Sequence, residues 1–189
     1  MTAKCKLVGI GDEDAYIKIY IANTPNFMFK HQSGGIYPLT KNEIYQCGQA
    51  CGNGWRKVFN VYAKFIYALS LPQLNTQRFS SWQDYRDNAL LQANSDTALL
   101  YSPPAIVANS DAHTNIDRRT NGDIHIVMGK TYGKSLSLPT SVTWVNHEFA
   151  INDQMRLIIC PYFDYRQLSN IKILQLIDLV NEIHLHKTM

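Results

Sequence analysis

The stretch RLIICPYFDYRQLSNIKILQLIDLVNEI, residues 156–183, decides the fold because it joins a buried strand to an amphipathic helix through a polar loop. Leu157–Cys160 is a short, unbroken apolar run, which is typical of a strand that is buried on both faces of a sheet. Pro161 ends this strand, since proline has no backbone N–H to give to a ladder. Asn170 is the expected N-cap of the helix. The apolar stripe of that helix, at three- and four-residue steps, consists of Ile173, Leu176, Ile177, Val180 and Ile183.

Similar short apolar runs recur along the chain and alternate with helical patterns. Residues 17–21 read IKIYI, in which every second residue is isoleucine, and residues 123–129 read DIHIVMG, a strand that ends in a glycine. Residues 55–71 carry the apolar periodicity of a helix, whereas residues 30–54 are expected to form a long irregular connection. This alternation predicts a single α/β domain over residues 1–189, with three α/β/α layers around a mostly parallel sheet.

The composition limits the classes of function without choosing one. The chain has 189 residues, 46% hydrophobic and 17% charged, and a formal net charge of +3, which permits a nucleic-acid or phosphate partner but does not require one. The absence of a long apolar run or a signal-peptide pattern, together with scattered cysteines, favours a cytoplasmic protein with reduced thiols and no membrane association. Oligomeric state is left open by the sequence.

Three predicted strands end in loops with polar or aromatic side chains. Ile21 leads into ANTPNF, Val127 into MGKTYGK, and Ile159 into CPYFDYRQLSN. Because ligands of open α/β sheets bind beyond the carboxyl ends of parallel strands, these loops would share one edge if their strands are neighbours. That edge is the predicted site.

Asp164 is the most interesting acidic residue, since it lies in a loop between two aromatic residues directly after a buried strand. As a general base it would need a raised or tuned pKa, which a partly apolar pocket supplies. The structural alternative is a salt bridge from Asp164 to Arg166 or Arg156, and the sequence leaves the two interpretations open. Asp111 and Asp117 are weaker candidates.

The remaining chemical patterns have structural explanations of equal or greater weight. Lys130 and Lys134 follow a strand and could meet a phosphate, although a solvated lysine pair is the more common arrangement; the Walker pattern is incomplete. Cys47 and Cys51 lack the further ligands of a zinc site, so neither a metal nor a cofactor is predicted. Aromatic residues such as Phe27 could stack on a planar ligand, but aromatic residues near strand ends more often close the core.

Three segments together resemble known motifs. IANTPNF offers Asn23 after the first strand, with Pro25 one place late for a Met-Asn-Pro type of loop and Phe27 as a stacking residue. GNGWRKVF places Asn53 two residues before an aromatic residue, as in a glycine-rich loop that opens a helix. CPYFDYRQLSN matches the position of a His-Pro-Ser-Pro loop before the last helix, with the first proline kept.

Through these motifs the chain resembles the uracil-DNA glycosylase superfamily, whose α/β/α fold acts on a base extruded from DNA. The resemblance implies a site at the carboxyl edge that binds a nucleobase or nucleic acid, with Asn23 or Asp164 positioning water. Cys160 stands where those enzymes have a catalytic histidine, which implies weak, altered or lost N-glycosidic hydrolysis. Together with the residues of the strand-end loops, the candidate substrate-binding residues are Phe27, Asn53, Lys130, Tyr162, Arg166 and Asn170.

Two other functions remain open from the sequence. The first is a non-catalytic domain that contacts a protein through the same aromatic edge. The second is a small-molecule enzyme of another class. On the leading interpretation the partner is DNA or a small molecule that contains a nucleobase.

Overall fold

The protein is built around one eight-stranded sheet, in the order β3-β1-β4-β2-β5-β8-β7-β6. The computed structural model describes residues 6–32, 34–104, 122–138 and 141–185. The strands are β1 Gly9–Gly11, β2 Ile17–Tyr20, β3 Ile36–Tyr37, β4 Thr97–Leu100, β5 Ile124–Met128, β6 Thr143–Trp144, β7 Ala150–Asn152 and β8 Leu157–Cys160. The α-helices in the described ranges are α1 Glu43–Cys51, α2 Asn53–Leu69, α3 Trp82–Asn88, α4 Lys130–Ser135 and α5 Asn170–Leu185.

The centre of the sheet is parallel and its flanks are partly antiparallel. Strands β4, β2, β5 and β8 lie side by side and run in the same direction. On one flank β1 pairs antiparallel with β4, and on the other β7 pairs antiparallel with both β8 and β6. The predicted α/β fold with a mostly parallel sheet is therefore confirmed, within a sheet that is mixed overall.

The two faces of the sheet bury separate hydrophobic clusters. Ile17 and Ile19 of β2 point into the larger cluster, which also contains the apolar faces of α2 and α5. Tyr20 and Val127 point into the smaller cluster, against which Tyr132 of α4 packs. This alternation follows from the period of two along a strand, and it places helices on both faces, as expected for three layers.

One helix lies where the sequence suggested an irregular connection. Residues 43–51 form α1, and the Glu43 side chain at its start is only 1% exposed. Its carboxylate accepts hydrogen bonds from the backbone N–H groups of Lys30 (2.7 Å) and Thr40 (2.6 Å). Tertiary contacts of this kind outweigh the poor helix propensity of a segment that contains Gly48, so the expectation of a wholly irregular 30–54 connection was wrong.

Two helix starts refine the sequence predictions. Ser81 caps α3, since its Oγ accepts from the N–H of Asp84 at 3.2 Å. At α5 the carbonyl of Ser169 accepts from the N–H of Ile173 at 2.9 Å, so Ser169 occupies the cap position and Asn170 is the first helical residue. The predicted cap is therefore one residue late.

None of the helices described here combines the length and apolar character needed to cross a bilayer. The sequence candidates Asp111 and Asp117 lie outside the described residues.

Candidate functional site at the carboxyl edge of the sheet

The loops that follow β2, β5 and β8 leave the same edge of the sheet. Tyr20 is aligned with Val127, and Met128 is aligned with Cys160, so the three strands end within one residue of each other. Since all three run parallel, their carboxyl ends are adjacent. The predicted convergence of the three loops is confirmed.

Tyr162 joins these three loops through its side chain. It is half-buried, and the Asn23 side chain lies close enough to its hydroxyl to lower the pKa of the phenol. A Cβ placed on Gly129 would lie 3.7 Å from Cδ2 of Tyr162, so the ring stands directly beside that glycine. We refer to Asn23, Gly129 and Tyr162 as the three-loop junction. Burial raises the pKa of Tyr162, although the contact with Asn23 opposes this effect, so the phenol is neutral at physiological pH.

Helix α1 holds the loop after β2 in place. The Glu43 carboxylate binds the backbone N–H of Lys30, as described above, at the far end of that loop. Phe27 packs edge-on against the buried Phe29, with ring centroids 4.9 Å apart, and remains only partly exposed. Although burial opposes it, hydrogen bonding from Lys30 and Thr40 holds the pKa of Glu43 below its usual value. An ionised carboxylate therefore supports this side of the site.

Asp164 forms its ion pair with a residue that the sequence did not suggest. Its Oδ2 accepts from Nζ of Lys57 on α2 at 2.8 Å, and its Oδ1 accepts from the backbone N–H of Arg166 at 2.9 Å. These contacts lower the pKa of Asp164, the Lys57 hydrogen bond first. Of the two interpretations left open, the ion pair is present, but its partner is Lys57 in place of Arg166 or Arg156, and the pKa of Asp164 lies in the direction opposite to that expected of a general base. The carboxylate is ionised and serves as an acceptor.

Cys160 belongs to the hydrophobic core. Its side chain is fully buried in the larger hydrophobic cluster, and burial raises the pKa of its thiol. A buried, protonated thiol is a poor nucleophile and carries no charge to stabilise an oxyanion. The position that the resemblance gives to a histidine thus belongs to the core.

The other predicted site residues lie around the same edge. Asn53 begins α2, one helical turn (about 6 Å along the axis) before the Lys57 that holds the loop after β8. Arg166 and Asn170 are exposed on that loop and at the start of α5. Lys130 is turned toward the β6–β7 hairpin, where its Nζ donates to the carbonyl of His147. Lys130 is therefore drawn toward the flank of the edge and not toward Tyr162.

The opposite, amino end of the same strands holds a closed polar network. Lys18 of β2 forms a salt bridge with Asp123, directly before β5, and both side chains are at most 10% exposed. Two residues further along each strand, the hydroxyl of Tyr20 and Nδ1 of His125 are 2.8 Å apart. Burial and the nearby Lys18 ammonium lower the pKa of His125 to about 3, so its imidazole is neutral.

Arg156 extends this network to the last helix. Its guanidinium donates to the backbone carbonyls of Asp123 (3.3 Å) and Ile183 (2.9 Å) and to the hydroxyl of Tyr16 (3.1 Å). The same hydroxyl lies 2.6 Å from Nδ1 of His184. Three hydrogen bonds from this arginine therefore fix the start of β8.

A separate cleft runs between α1 and α3, away from the junction. Its cavity of about 300 Å³ is lined by Tyr45 and by Arg86. The Arg86 guanidinium is already bound to Asp87 (2.7 Å) and to Asn60 (2.6 Å), so its donors are largely used within the protein. The cleft has a largely polar lining, but the loops that follow the parallel strands do not line it, so the carboxyl edge is the stronger candidate site.

Comparison with known proteins connects the chain to one family. A family described as being of unknown function, DUF6942, matches residues 8–181, which include every described strand and most of α5. The chain belongs to the DUF6942 family. No curated protein and no solved structure matches the sequence. For this DUF6942 member, function has to be argued from the site.

The sequence analysis did not identify two residues that contribute to this edge, Lys57 and Trp144. Lys57 is one polar residue on a mostly apolar helix, and its partner Asp164 is 107 positions away. Trp144, 38% exposed, was passed over within a short strand pattern, yet the ammonium groups of Lys130 and Lys134 lie 5.3 and 5.6 Å from its ring centroid. The residues 142–145 read as a short strand pattern, and nothing in that pattern indicates that Trp144 is exposed beside two lysines.

Proposed function

We propose that this DUF6942 member binds a nucleobase or a nucleic acid at the carboxyl edge of its sheet, and that any N-glycosidic hydrolysis there is weak or altered. The observation that carries the proposal is the three-loop junction, where the Tyr162 ring lies beside Gly129 and the loops after β2, β5 and β8 leave one edge of the sheet. An amide and an aromatic ring at the end of parallel strands combine the two contacts that bases require, hydrogen bonding to a polar edge and stacking on a face.

The surroundings of the junction favour an anionic, base-containing ligand. Tyr165 is 54% exposed, and Nζ of Lys57 lies 4.8 Å from its ring centroid. Arg166 lies 6.0 Å from the same ring and has an exposed side chain. Aromatic faces between cations are typical of surfaces that bind single-stranded nucleic acid, because stacking and phosphate contacts occur together.

Weak hydrolysis follows from the properties of Cys160 and Asp164, the two residues at positions where catalytic groups would be needed. Cys160 is buried and protonated, so it cannot stabilise charge that develops on a base carbonyl. Asp164 is ionised and bound to Lys57, which leaves it able to orient a water molecule but makes it a weak base. We therefore place Asn23 and Asp164 as water-positioning residues and expect binding to exceed catalysis.

The proposal is tested with oligonucleotides that contain uracil, hypoxanthine or a mismatch. Binding is measured by fluorescence anisotropy over a range of salt concentrations, and hydrolysis is measured as abasic sites. We expect salt-dependent binding, because phosphate contacts release counterions, and slow or undetectable cleavage. Asn23→Ala and Tyr162→Phe should weaken binding.

Asn26→Ala is the matched control, since Asn26 is an exposed asparagine of the same loop. If it weakens binding as much as Asn23→Ala does, the junction is not the site. Absence of binding to every oligonucleotide and to free nucleotides would refute the proposed function.

A second function is favoured by apolar side chains exposed at the same edge. Met28 is 86% exposed, Val145 is 48% exposed and Ile171 is 79% exposed. Exposed apolar groups of this kind mark protein interfaces when they are contiguous. On this alternative, a DNA signal would be absent or insensitive to salt, and Met28→Ser would weaken a protein contact while leaving nucleotide binding unchanged.

A further inference from the structure

One flank of the carboxyl edge carries two lysines directed at an exposed tryptophan. Lys130 and Lys134 are one turn apart on α4, and their Nζ atoms lie 5.3 and 5.6 Å from the ring centroid of Trp144. Trp144 belongs to β6, the edge strand of the sheet, and is 38% exposed. We refer to these three residues as the lysine–tryptophan cluster.

The cluster is continuous with the proposed site. Trp144 is aligned with Ala150, which is aligned with Ile159 of β8. The tryptophan therefore lies level with the end of β8, three residues before Tyr162. Two strand spacings, about 10 Å, separate β6 from β8. A ligand bound at the three-loop junction therefore reaches the cluster if it extends a few nucleotides along this edge.

The two lysines carry charge that nearby carboxylates do not neutralise. Among the residues that the structure describes, ion pairs occupy Lys18, Lys57 and Lys172, but not Lys130 or Lys134. The nearest acid of the hairpin, Glu148, is bound to Lys172 at 2.6 Å. Two like charges four residues apart on a helix repel each other, and an anion placed between them would relieve this repulsion.

A second tryptophan of the same chain also lies under two cations, but one of them is paired with a carboxylate. Trp82 also has two cations over its ring, Lys64 at 5.0 Å and Arg86 at 5.6 Å. There, however, Arg86 is paired with Asp87 at 2.7 Å, and Trp82 packs against the hydrophobic core. One of the two cations at Trp82 is therefore paired, whereas among the described residues neither Lys130 nor Lys134 is in an ion pair, and Trp144 is the more exposed of the two rings.

We propose that the lysine–tryptophan cluster is a second subsite for single-stranded nucleic acid, in which a base stacks on Trp144 and adjacent phosphates contact Lys130 and Lys134. This inference rests on the proposed function, because it extends the same binding edge, and it specifies a single-stranded ligand longer than one nucleotide. A base stacked on a protein ring, with cations at its phosphates, is the common arrangement for single strands. Duplex DNA does not offer an unstacked base to Trp144.

The test compares variants of the cluster in the full chain with a labelled single-stranded oligonucleotide. We expect Trp144→Ala to weaken binding roughly 5- to 150-fold, the range for loss of one base–aromatic stack, and Trp144→Phe to weaken it less. Lys134→Ala should make the slope of log affinity against log salt shallower by about 0.7, the value for one phosphate contact on a single strand. Lys64→Ala, beside Trp82, is the matched control and should leave both quantities unchanged.

Further ligands separate stacking from charge. An abasic oligonucleotide of the same length should bind wild type more weakly and should bind Trp144→Ala no differently from wild type. If the abasic strand or a polyglutamate peptide binds as tightly as the base-bearing strand, the cluster is a general polyanion surface and base stacking is refuted.

The outcomes distinguish this inference from the proposed function. If wild type binds a mononucleotide and the oligonucleotide equally, and the Trp144 and Lys134 variants behave as wild type, the second subsite is refuted while the junction stands. If wild type binds neither ligand, the proposed function itself is refuted, and the cluster with it. Thermal unfolding of each variant confirms that its fold is retained.

Discussion

The two ends of the parallel strands carry similar polar residues in opposite environments. At the amino end, Lys18 and Asp123 form a salt bridge whose side chains are 6% and 10% exposed. At the carboxyl end, Lys57 and Asp164 form another, whose side chains are 16% and 21% exposed. The amino-end pair lies inside a network that also includes His125, whereas the carboxyl-end pair borders loops with exposed aromatic and cationic groups.

The difference teaches which polar groups hold the fold and which are available to a ligand. Buried groups at the amino end are matched within the protein, as the cost of burying an unpaired charge requires. Groups at the carboxyl end retain access to solvent, so a ligand can compete for them at modest cost. Polar character alone therefore does not identify a site; access does.

The largest expected effect is on the amino-end salt bridge. Lys18→Met should destabilise the protein by about 3–5 kcal/mol, because it removes the ammonium that faces the buried Asp123 carboxylate. The same substitution at the carboxyl end, Lys57→Met, should cost no more than about 1 kcal/mol, since that pair is more accessible to water. Urea denaturation of both variants measures the difference. Equal losses would remove the distinction between the two ends.

The support of the loop after β2 is expected to be the strongest interaction near the carboxyl end. Glu43→Gln should cost roughly 1.5–3 kcal/mol, because charge-assisted bonds to Lys30 and Thr40 are lost. Amide hydrogen exchange should also become faster in residues 22–32. Glu13→Gln, at an exposed position, is the control and should change neither measurement.

The amino end should also make stability depend on pH. The pKa of His125 is lowered from 6.5 to about 3, so between these values the unfolded chain binds a proton that the folded protein does not. Stability is therefore present above about pH 6.5 and falls by about 1.4 kcal/mol for each pH unit below it, or about 2 kcal/mol by pH 5. His125→Gln should reduce this slope in denaturant titrations at several pH values. An unchanged slope would show that the pKa of His125 does not differ between the folded and the unfolded protein.

The smallest expected effect on stability is at the three-loop junction. Asn23→Ala should cost about 0.5–1.5 kcal/mol of nucleotide affinity, the value of one hydrogen bond, which corresponds to a decrease of roughly 2- to 12-fold. Its effect on unfolding should be smaller than that of Lys18→Met, because Asn23 is exposed. Calorimetry with a nucleotide, paired with thermal unfolding, checks both. A large loss of stability would mean that the junction is structural.

The elements that the sequence predicted best are those with strong local patterns. The period of two in β2, the apolar run of β8 and the stripe of α5 all reflect burial of one face or both, so local residues were sufficient. Helix α1 was missed because its stability comes from Glu43 contacts with Lys30 and Thr40, which no local pattern encodes. The antiparallel pairing of β1 with β4 joins distant segments and was equally inaccessible.

At the site, the sequence predicted the edge but not the partners. Polar loops after buried strands were sufficient to place Asn23 and Tyr162 together, because parallel strands bring their carboxyl ends to one side. The partner of Asp164 could not be predicted, since any cation on the neighbouring layer was an equal candidate until α2 was placed. The binding roles of Phe27, Asn53, Arg166 and Asn170 stay predictions.

The order of the strands has a consequence for how the chain folds. Strand β2 lies between two strands that come much later in the chain, β4 at residues 97–100 and β5 at residues 124–128. The other neighbour of β5 is β8, at residues 157–160. Each of these parallel pairings closes a long loop before it gains a contact, which slows folding relative to a protein of local contacts. During synthesis, the parallel centre of the sheet is therefore completed only after β8 has been translated. Until then, the edge of β5 that pairs with β8 has no strand to cover it.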